Sequence, residues 1–187
     1  MNLFVIAGHS IEAPGAKAWN GSYEHDYTQR AQKWLSYKHR VVQLDGSVML
    51  DEDNLSLREV IEFINQNAKR GDYGIDIHFN NNNPAATGTE GLISPKTTKV
   101  NKKIATEVIQ NGSDIMGLPV RRYLPNRTYK YPSDINRTLG IIKYTKIPMF
   151  LYEVCFLTGR DMAKYLPVEK DVWRMVAEVY KKHIGTF

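Results

Sequence analysis

Four residues have side chains suited to hydrolytic chemistry: His9, Glu24, His78 and Glu153. His9 comes two residues after the apolar run Leu3 to Ala7, His78 near the end of the run Gly74 to Asn80, and Glu153 near the end of Met149 to Val154. Glu24 follows the loop that leaves His9. Two imidazoles and a carboxylate with a fourth, open position form a recurrent catalytic zinc site, where the metal lowers the pKa of a water to about 7. A further carboxylate nearby can take that water's proton and pass it to a leaving amine. The residue types leave open which carboxylate takes which role. The spacings match no short local motif such as H-E-x-x-H, and a lone histidine is more often structural than a ligand. Only the fold can bring these residues together.

The elements that must do so are legible as runs. Leu3 to Ala7 reads as a buried strand ended by Gly8, and Ile11 to Gly21, with Pro14, Gly15 and Gly21, as a loop. Tyr27, Ala31, Trp34 and Leu35 fall on one helix face, as do Leu57, Val60, Ile61, Ile64 and Ala68 before Gly71. Arg40 to Leu44, Gly74 to Asn80, Glu90 to Ser94 and Met149 to Val154 read as strands, and Leu139 to Ile142 as a further one. Val100, Ile104 and Val108 mark a helix stopping near Gly112; Val172, Trp173, Val176, Val179 and Tyr180 mark a C-terminal helix. Pro119 to Ser133 reads as a long loop. Strands alternating with helices predict an α/β fold: an open, twisted, mainly parallel sheet with helices on both faces. In such sheets ligands bind beyond the carboxyl ends of the strands. If their strands are parallel neighbours, His9, His78 and Glu153 meet at that edge, and Glu24 folds back over it.

The 187 residues are expected to form one domain, 1–187, large enough to fold without a disulfide or metal. A single cysteine, Cys155, excludes an internal disulfide framework and a multi-cysteine zinc cluster. No apolar run reaches the ~18–20 residues of a membrane span, so no stable membrane insertion is expected. No leader pattern precedes the first strand, which leads us to expect a protein cytoplasmic on synthesis. The net charge is +5, and the stretch from Leu92 to Pro148 holds eleven Lys/Arg against three acids. Such a stretch can attract nucleic acid, anionic lipid or an acidic polymer, but a solvated basic face with no partner is the more frequent origin of such a stretch than any one of these, and no nucleic-acid partner is expected.

The motifs around the four residues carry a resemblance. Ile6-Ala7-Gly8-His9, Pro14-Gly15-Ala16 and Glu24 opening a helix look like the start of zinc-dependent N-acetylmuramoyl-L-alanine amidases, the type-3 catalytic domains of cell-separation amidases and phage endolysins. Ile77-His78-Phe79-Asn80 resembles that family's I-H-x-N strand end, and Gly88-Thr89-Glu90-Gly91 its G-x-E segment. Ile147 to Gly159 resembles its I-P-x-x-L-x-E-x-G-F-x-S-N strand and turn, with Asp161 following. The matches run in order across essentially the whole chain. Cys155 stands where the family usually has glycine, Gly159 where it has asparagine, Ser10 where glycine is common, and Asp76 where serine is usual.

The resemblance implies that His9, Glu24 and His78 hold one zinc ion per chain and that Glu153 is the catalytic carboxylate. It implies hydrolysis of the amide between N-acetylmuramic acid and L-alanine in peptidoglycan, in the manner of a phage or prophage lysin acting on the cell wall after release, with the chain as a monomer. Asn80, Glu90 and Arg121 are candidate substrate contacts. Two other readings use the same sequence: a zinc-dependent deacylase or carboxypeptidase on small amides, and a basic cell-wall- or nucleic-acid-binding protein. His25 adjoins Glu24 as an alternative ligand, His39 and His183 read as surface residues, Arg121 and Arg122 as a solvated pair more readily than as binders of a peptide carboxylate, and Cys155 as inert packing.

Overall fold

The computed structural model describes residues 1–36, 42–45, 57–81 and 84–185. Five strands form one sheet: β1 (Leu3–Ala7), β2 (Val42–Asp45), β3 (Tyr73–Asn80), β4 (Glu90–Ile93) and β5 (Met149–Phe156). Their order is β2-β1-β3-β5-β4. The first four positions run parallel, and β4 closes the edge antiparallel to β5. The parallel strands are joined through helical connections, as parallel strands usually are: α1 (Glu24–Ser36), α2 (Leu57–Asn67), α3 (Lys99–Met116) and α4 (Gly140–Tyr144); α5 (Gly159–Tyr165) and α6 (Glu169–Ile184) follow the last strand. The expected α/β architecture is the observed one. Of the expected strand from Arg40 to Leu44, residues 40 and 41 lie outside the described residues, as does His39.

Strand alternation divides the core in two. Leu3, Val5, Ile75, Ile77, Phe150 and Tyr152 point to the larger cluster, which includes Tyr27, Ala31 and Leu35 of α1, Ile104 and Val108 of α3, and Trp173, Val176 and Tyr180 of α6. Phe4, Ile6, Met149 and Leu151 point to a smaller one with Val60, Ile61 and Ile64 of α2 and Ile141 and Ile142 of α4. The polar members of β3, Asp76, His78 and Asn80, alternate with the residues of the larger cluster. They therefore share the thinner, α2/α4 face of the sheet, where less apolar cover leaves room for a cleft. Helix α1 is tied directly to β1: Gln32 donates to the Val5 carbonyl at 2.8 Å and Thr28 to the Gly8 carbonyl at 2.8 Å.

Several local expectations are corrected. Leu139 to Ile142 is no strand but the entry to α4; a short apolar run has no period that separates strand from helix. Helix α3 runs through Gly112 to Gly117, whose φ of 60° makes the left-handed stop. Gly112 lies inside the helix, and glycine is needed there because a Cβ would run into the Tyr152 hydroxyl. Trp34 is 38 % exposed, with the Lys170 ammonium 5.6 Å from its ring centroid, rather than in the core. His183 is no surface residue: its ring, 13 % exposed, lies 2.9 Å from Glu107. The segment from Pro119 to Ser133 is tied to the sheet by isolated bridges from Val120 to Thr89 and from Lys130 to Leu92. Helix α5 was not foreseen. It starts after Thr158 and buries Asp161, which accepts from the Phe156 and Gly88 amides at 3.2 and 2.9 Å and from Thr87 at 2.6 Å. Asp161 thus clamps the end of β5 to the approach of β4.

Candidate active site

The three adjacent strands β1, β3 and β5 deliver three of the four residues. His9 lies just past β1, held by the Gly8 amide donating to the Ile77 carbonyl at 2.9 Å. Its φ of 69° is left-handed, an uncommon backbone for a residue with a Cβ and a recurrent sign of a functional constraint. His78 and Glu153 are direct neighbours in the parallel register of β3 and β5. Glu24 opens α1, whose first turn is pinned by its own amide donating to the Ala16 carbonyl at 2.8 Å and by the His25 amide donating to Pro14 at 3.1 Å. Gly15 is the hinge of this clasp. Its φ is +75°, and a Cβ there would stand 2.7 Å from the His9 ring and 2.8 Å from Glu24 Oε2, so only glycine fits.

Glu24 is the centre of the constellation. Its Oε2 lies 3.0 Å from His9 Nε2 and its Oε1 3.1 Å from His78 Nδ1. The Phe79 amide donates to Oε1 at 2.9 Å and the Ala16 amide to Oε2 at 3.3 Å. Burial works against its charge, but the hydrogen bonds and charges of His78 and His9 outweigh it and hold the carboxyl at a pKa of about 2. The ring of His78 is desolvated too; the carboxylates of Asp76 and Glu24 overcome that and raise its pKa well above the usual value. Asp76 Oδ2 lies 3.3 Å from His78 Nε2. The two imidazoles are edge to face, 5.0 Å between centroids.

Glu153 is in a different situation. Its Oε2 is buried and has no hydrogen-bond partner among the described residues. Burial pushes its pKa up to about 7, opposed by the His78 charge and reinforced by Glu24, Glu90 and Asp76. A carboxyl poised near neutrality beside an open cleft has the property a proton carrier needs. The other candidates form one chain of contacts behind it. Asn80 donates to Glu90 Oε1 at 3.0 Å, and Glu90 Oε2 takes Arg121 Nε at 3.1 Å and the Lys130 ammonium. Arg121 also stacks over the Phe156 ring at 4.9 Å. Lys130 was missed from sequence, where nothing distinguishes it from its basic neighbours.

These residues open on a cleft of about 1020 Å³ whose lining includes His9, Glu24, Asp76, His78, Asn80, Glu153, Arg137 and Leu139. Glu90 and Arg121 are not in its lining. Arg122 turns away to Gln110 and the Pro125 carbonyl. His25 is buried and outside the cluster of ligand-type atoms. Cys155 is buried, and burial pushes its thiol well up, which keeps it inert.

One nitrogen each from His9 and His78 and one oxygen from Glu24 lie within 4.8 Å of one another. Two imidazoles and a carboxylate, open on one side to a cleft with an unpartnered buried carboxyl oxygen beside it, fit a catalytic zinc ion; copper and nickel accept the same donors.

Residues 3–183 match the family of N-acetylmuramoyl-L-alanine amidases. Among solved structures, the fold is similar to the catalytic domain of an N-acetylmuramoyl-L-alanine amidase from Bacillus (Paenibacillus) polymyxa var. colistinus, with TM-score 0.75 and 19 % identity over 100 % of both chains. It is similar to an N-acetylmuramyl-L-alanine amidase from Mycobacterium smegmatis, with TM-score 0.75 and 16 % identity over 99 % of this chain and 97 % of that one. It is also similar to the catalytic domain of an endolysin targeting Clostridia Difficile, with TM-score 0.73 and 19 % identity over 96 % of both chains. No match is found among curated proteins.

Proposed function

The chain belongs to the N-acetylmuramoyl-L-alanine amidase family, and from that premise we propose that it cleaves the lactyl–L-alanine amide of peptidoglycan with a zinc ion held by His9, Glu24 and His78 and with Glu153 as proton carrier. The observation that carries this reading is the register of β3 on β5. It sets His78 beside Glu153, so the carboxyl without a partner adjoins the cluster of ligand-type atoms.

Zinc bound there would polarise the scissile carbonyl and bring water within reach of deprotonation at neutral pH. Glu153 Oε2 takes a proton from that water as its oxygen bonds to the carbonyl carbon, and delivers the proton to the alanine nitrogen as the C–N bond breaks. The products are the lactyl carboxylate of N-acetylmuramic acid and a free L-alanine amino group. Glu24 contributes fixed negative charge and, through the Phe79 and Ala16 amides, a fixed orientation. Asn80 lines the cleft and meets the substrate, while Glu90 and Arg121 hold Asn80 from behind.

Residues 1–187 act in this reading as one catalytic domain and as a monomer. The chain works as a lysin on the cell wall once released, with the basic stretch from Leu92 to Pro148 drawing it to the anionic envelope, an attraction that salt screens. Among the described residues no helix is long and apolar enough to cross a membrane.

The test is digestion of purified peptidoglycan with and without a chelator, followed by end-group analysis. New L-alanine amino termini that vanish on chelation and return with zinc are expected. New reducing sugar ends would overturn the reading.

A further inference from the structure

The face of β3 that carries His78 also carries an acid, Asp76, for which the proposed reaction has no role. Its sheet neighbours in register are Ile6 on β1 and Leu151 on β5, both apolar. The residue is 4 % exposed. A carboxylate in such a place is costly unless something compensates its charge, and among the described residues its ion-pair partner is His78, with Oδ2 3.3 Å from Nε2. The opposite ring nitrogen, Nδ1, faces Glu24 Oε1 at 3.1 Å. The imidazole is therefore held between two acids, with one nitrogen turned into the ligand cluster and the other turned back onto Asp76.

From this two-sided arrangement we infer that Asp76 is a positioning residue of the metal centre: its carboxylate fixes the ring of His78 and strengthens that ring's hold on a divalent cation. The inference rests on the metal-site reading above and deepens it. A histidine that offers one nitrogen to a metal needs its proton on the other, and a carboxylate behind the ring stabilises that tautomer and makes the ligating nitrogen more basic. Among the described residues the one carboxylate paired with His9 is Glu24, on Nε2, and none lies behind its ring as Asp76 does behind His78. His78 with Asp76 is therefore the stiffer arm of the site and His9 the looser one.

The experiment is zinc affinity, measured by competition with a chromophoric chelator on the whole chain, for wild type, Asp76→Asn, Asp76→Leu and His78→Ala, with the metal-free melting temperature of each. Loss of a carboxylate behind a ligating histidine typically weakens metal binding ~10–100-fold, and that loss is expected for Asp76→Asn and Asp76→Leu. Asp76→Asn keeps the size of the side chain and a polar group at His78 Nε2, and Asp76→Leu offsets the lost pair by burying an apolar group between Ile6 and Leu151, so their metal-free melting temperatures should change little. An affinity within about twofold of wild type in both variants, or a lowered metal-free melting temperature with unchanged affinity, would make Asp76 merely structural and overturn the inference. Complete loss of binding, equal to that of His78→Ala, would make Asp76 a ligand and overturn it too. Wild-type zinc binding that His78→Ala does not alter would instead sink the metal-site reading itself.

Discussion

Glu153 and Glu90 face one another across the antiparallel pair of β5 and β4, yet their surroundings are opposite in kind. Glu90 is flanked by Arg121 and Lys130, while Glu153 Oε2 has no hydrogen-bond partner among the described residues. The protein neutralises the outer glutamate and leaves the inner one unpaired, which is the arrangement that keeps one carboxyl near neutrality between two protonation states.

Glu153→Gln keeps the shape and burial of the side chain but cannot carry a proton. General acid–base assistance is worth ~10²–10⁴-fold, so turnover on peptidoglycan should fall by about that factor. Zinc content measured by elemental analysis should stay at the wild-type level. Near wild-type turnover would discard the proton-carrier role, and lost zinc would make Glu153 a ligand.

The pH profile offers a second handle. Burial raises the Glu153 carboxyl to about 7, and a base works only when deprotonated, so activity should fall as pH drops through its pKa. Lys130→Met removes a counter-charge of Glu90, leaves more negative charge facing Glu153 and raises its pKa further. The acid limb of kcat/KM should therefore move to higher pH in that variant. A limb that stays put, or moves down, would show that Glu90 is electrically isolated from Glu153.

How the site was and was not legible follows from where its information lies. His9, Glu24, His78 and Glu153 stand at strand or helix ends that periodicity marks, so their convergence follows once the strands are parallel neighbours. The polar alternation Asp76, His78, Asn80 marked the face of β3 that the cleft uses. Lys130 and the fate of Glu90 were not legible, because they depend on a long-range bridge between Lys130 and Leu92, which leaves no local period. Helix α4 misled as a strand because a run of five residues has no period that separates strand from helix, and α5, only seven residues, has too few turns to show an apolar stripe.

Gly15→Ala probes the clasp that holds the ligands. A left-handed φ costs an L-residue roughly 1–2 kcal/mol, and the new methyl would press on the His9 ring and Glu24 Oε2. Relief must come from moving one of them, so zinc affinity should drop ~10-fold or more. The melting temperature of the metal-free chain should fall only modestly. Unchanged affinity would mean that the loop yields instead and that the site does not depend on its geometry.

Removing the metal should stop the reaction without unfolding the chain. Without a cation, the Glu24 carboxylate still has the His9 and His78 rings within 3.1 Å and two amide donors, so no buried charge is left without polar partners. Neither apolar cluster includes a ligand residue. Chelation should leave the far-ultraviolet circular dichroism essentially unchanged. Global loss of helical signal on chelation would show a structural metal instead.

Far from the cleft, Asp72 makes stability depend on pH in a direction that can be worked out. It is 2 % exposed, and its carboxylate accepts from the Asn2 amide at 2.7 Å and the Lys69 amide at 2.9 Å, with the Asn2 side chain at 3.3 Å. Burial alone would raise its pKa; these donors overcome that and hold it below the usual carboxylate value. A folded-state pKa below the unfolded one means the unfolded chain binds the proton more readily. The contribution is therefore complete above the unfolded value of about 4 and is lost as pH falls from there through the folded-state pKa. Hydrogen bonds to a charged group are worth roughly 1.5–3 kcal/mol, so Asp72→Ala should cost about 2 kcal/mol at neutral pH, read by urea unfolding. The gap between variant and wild type should narrow as pH falls below about 4. A gap that is constant from neutral to acid pH would show that Asp72 acts through packing rather than through its charge.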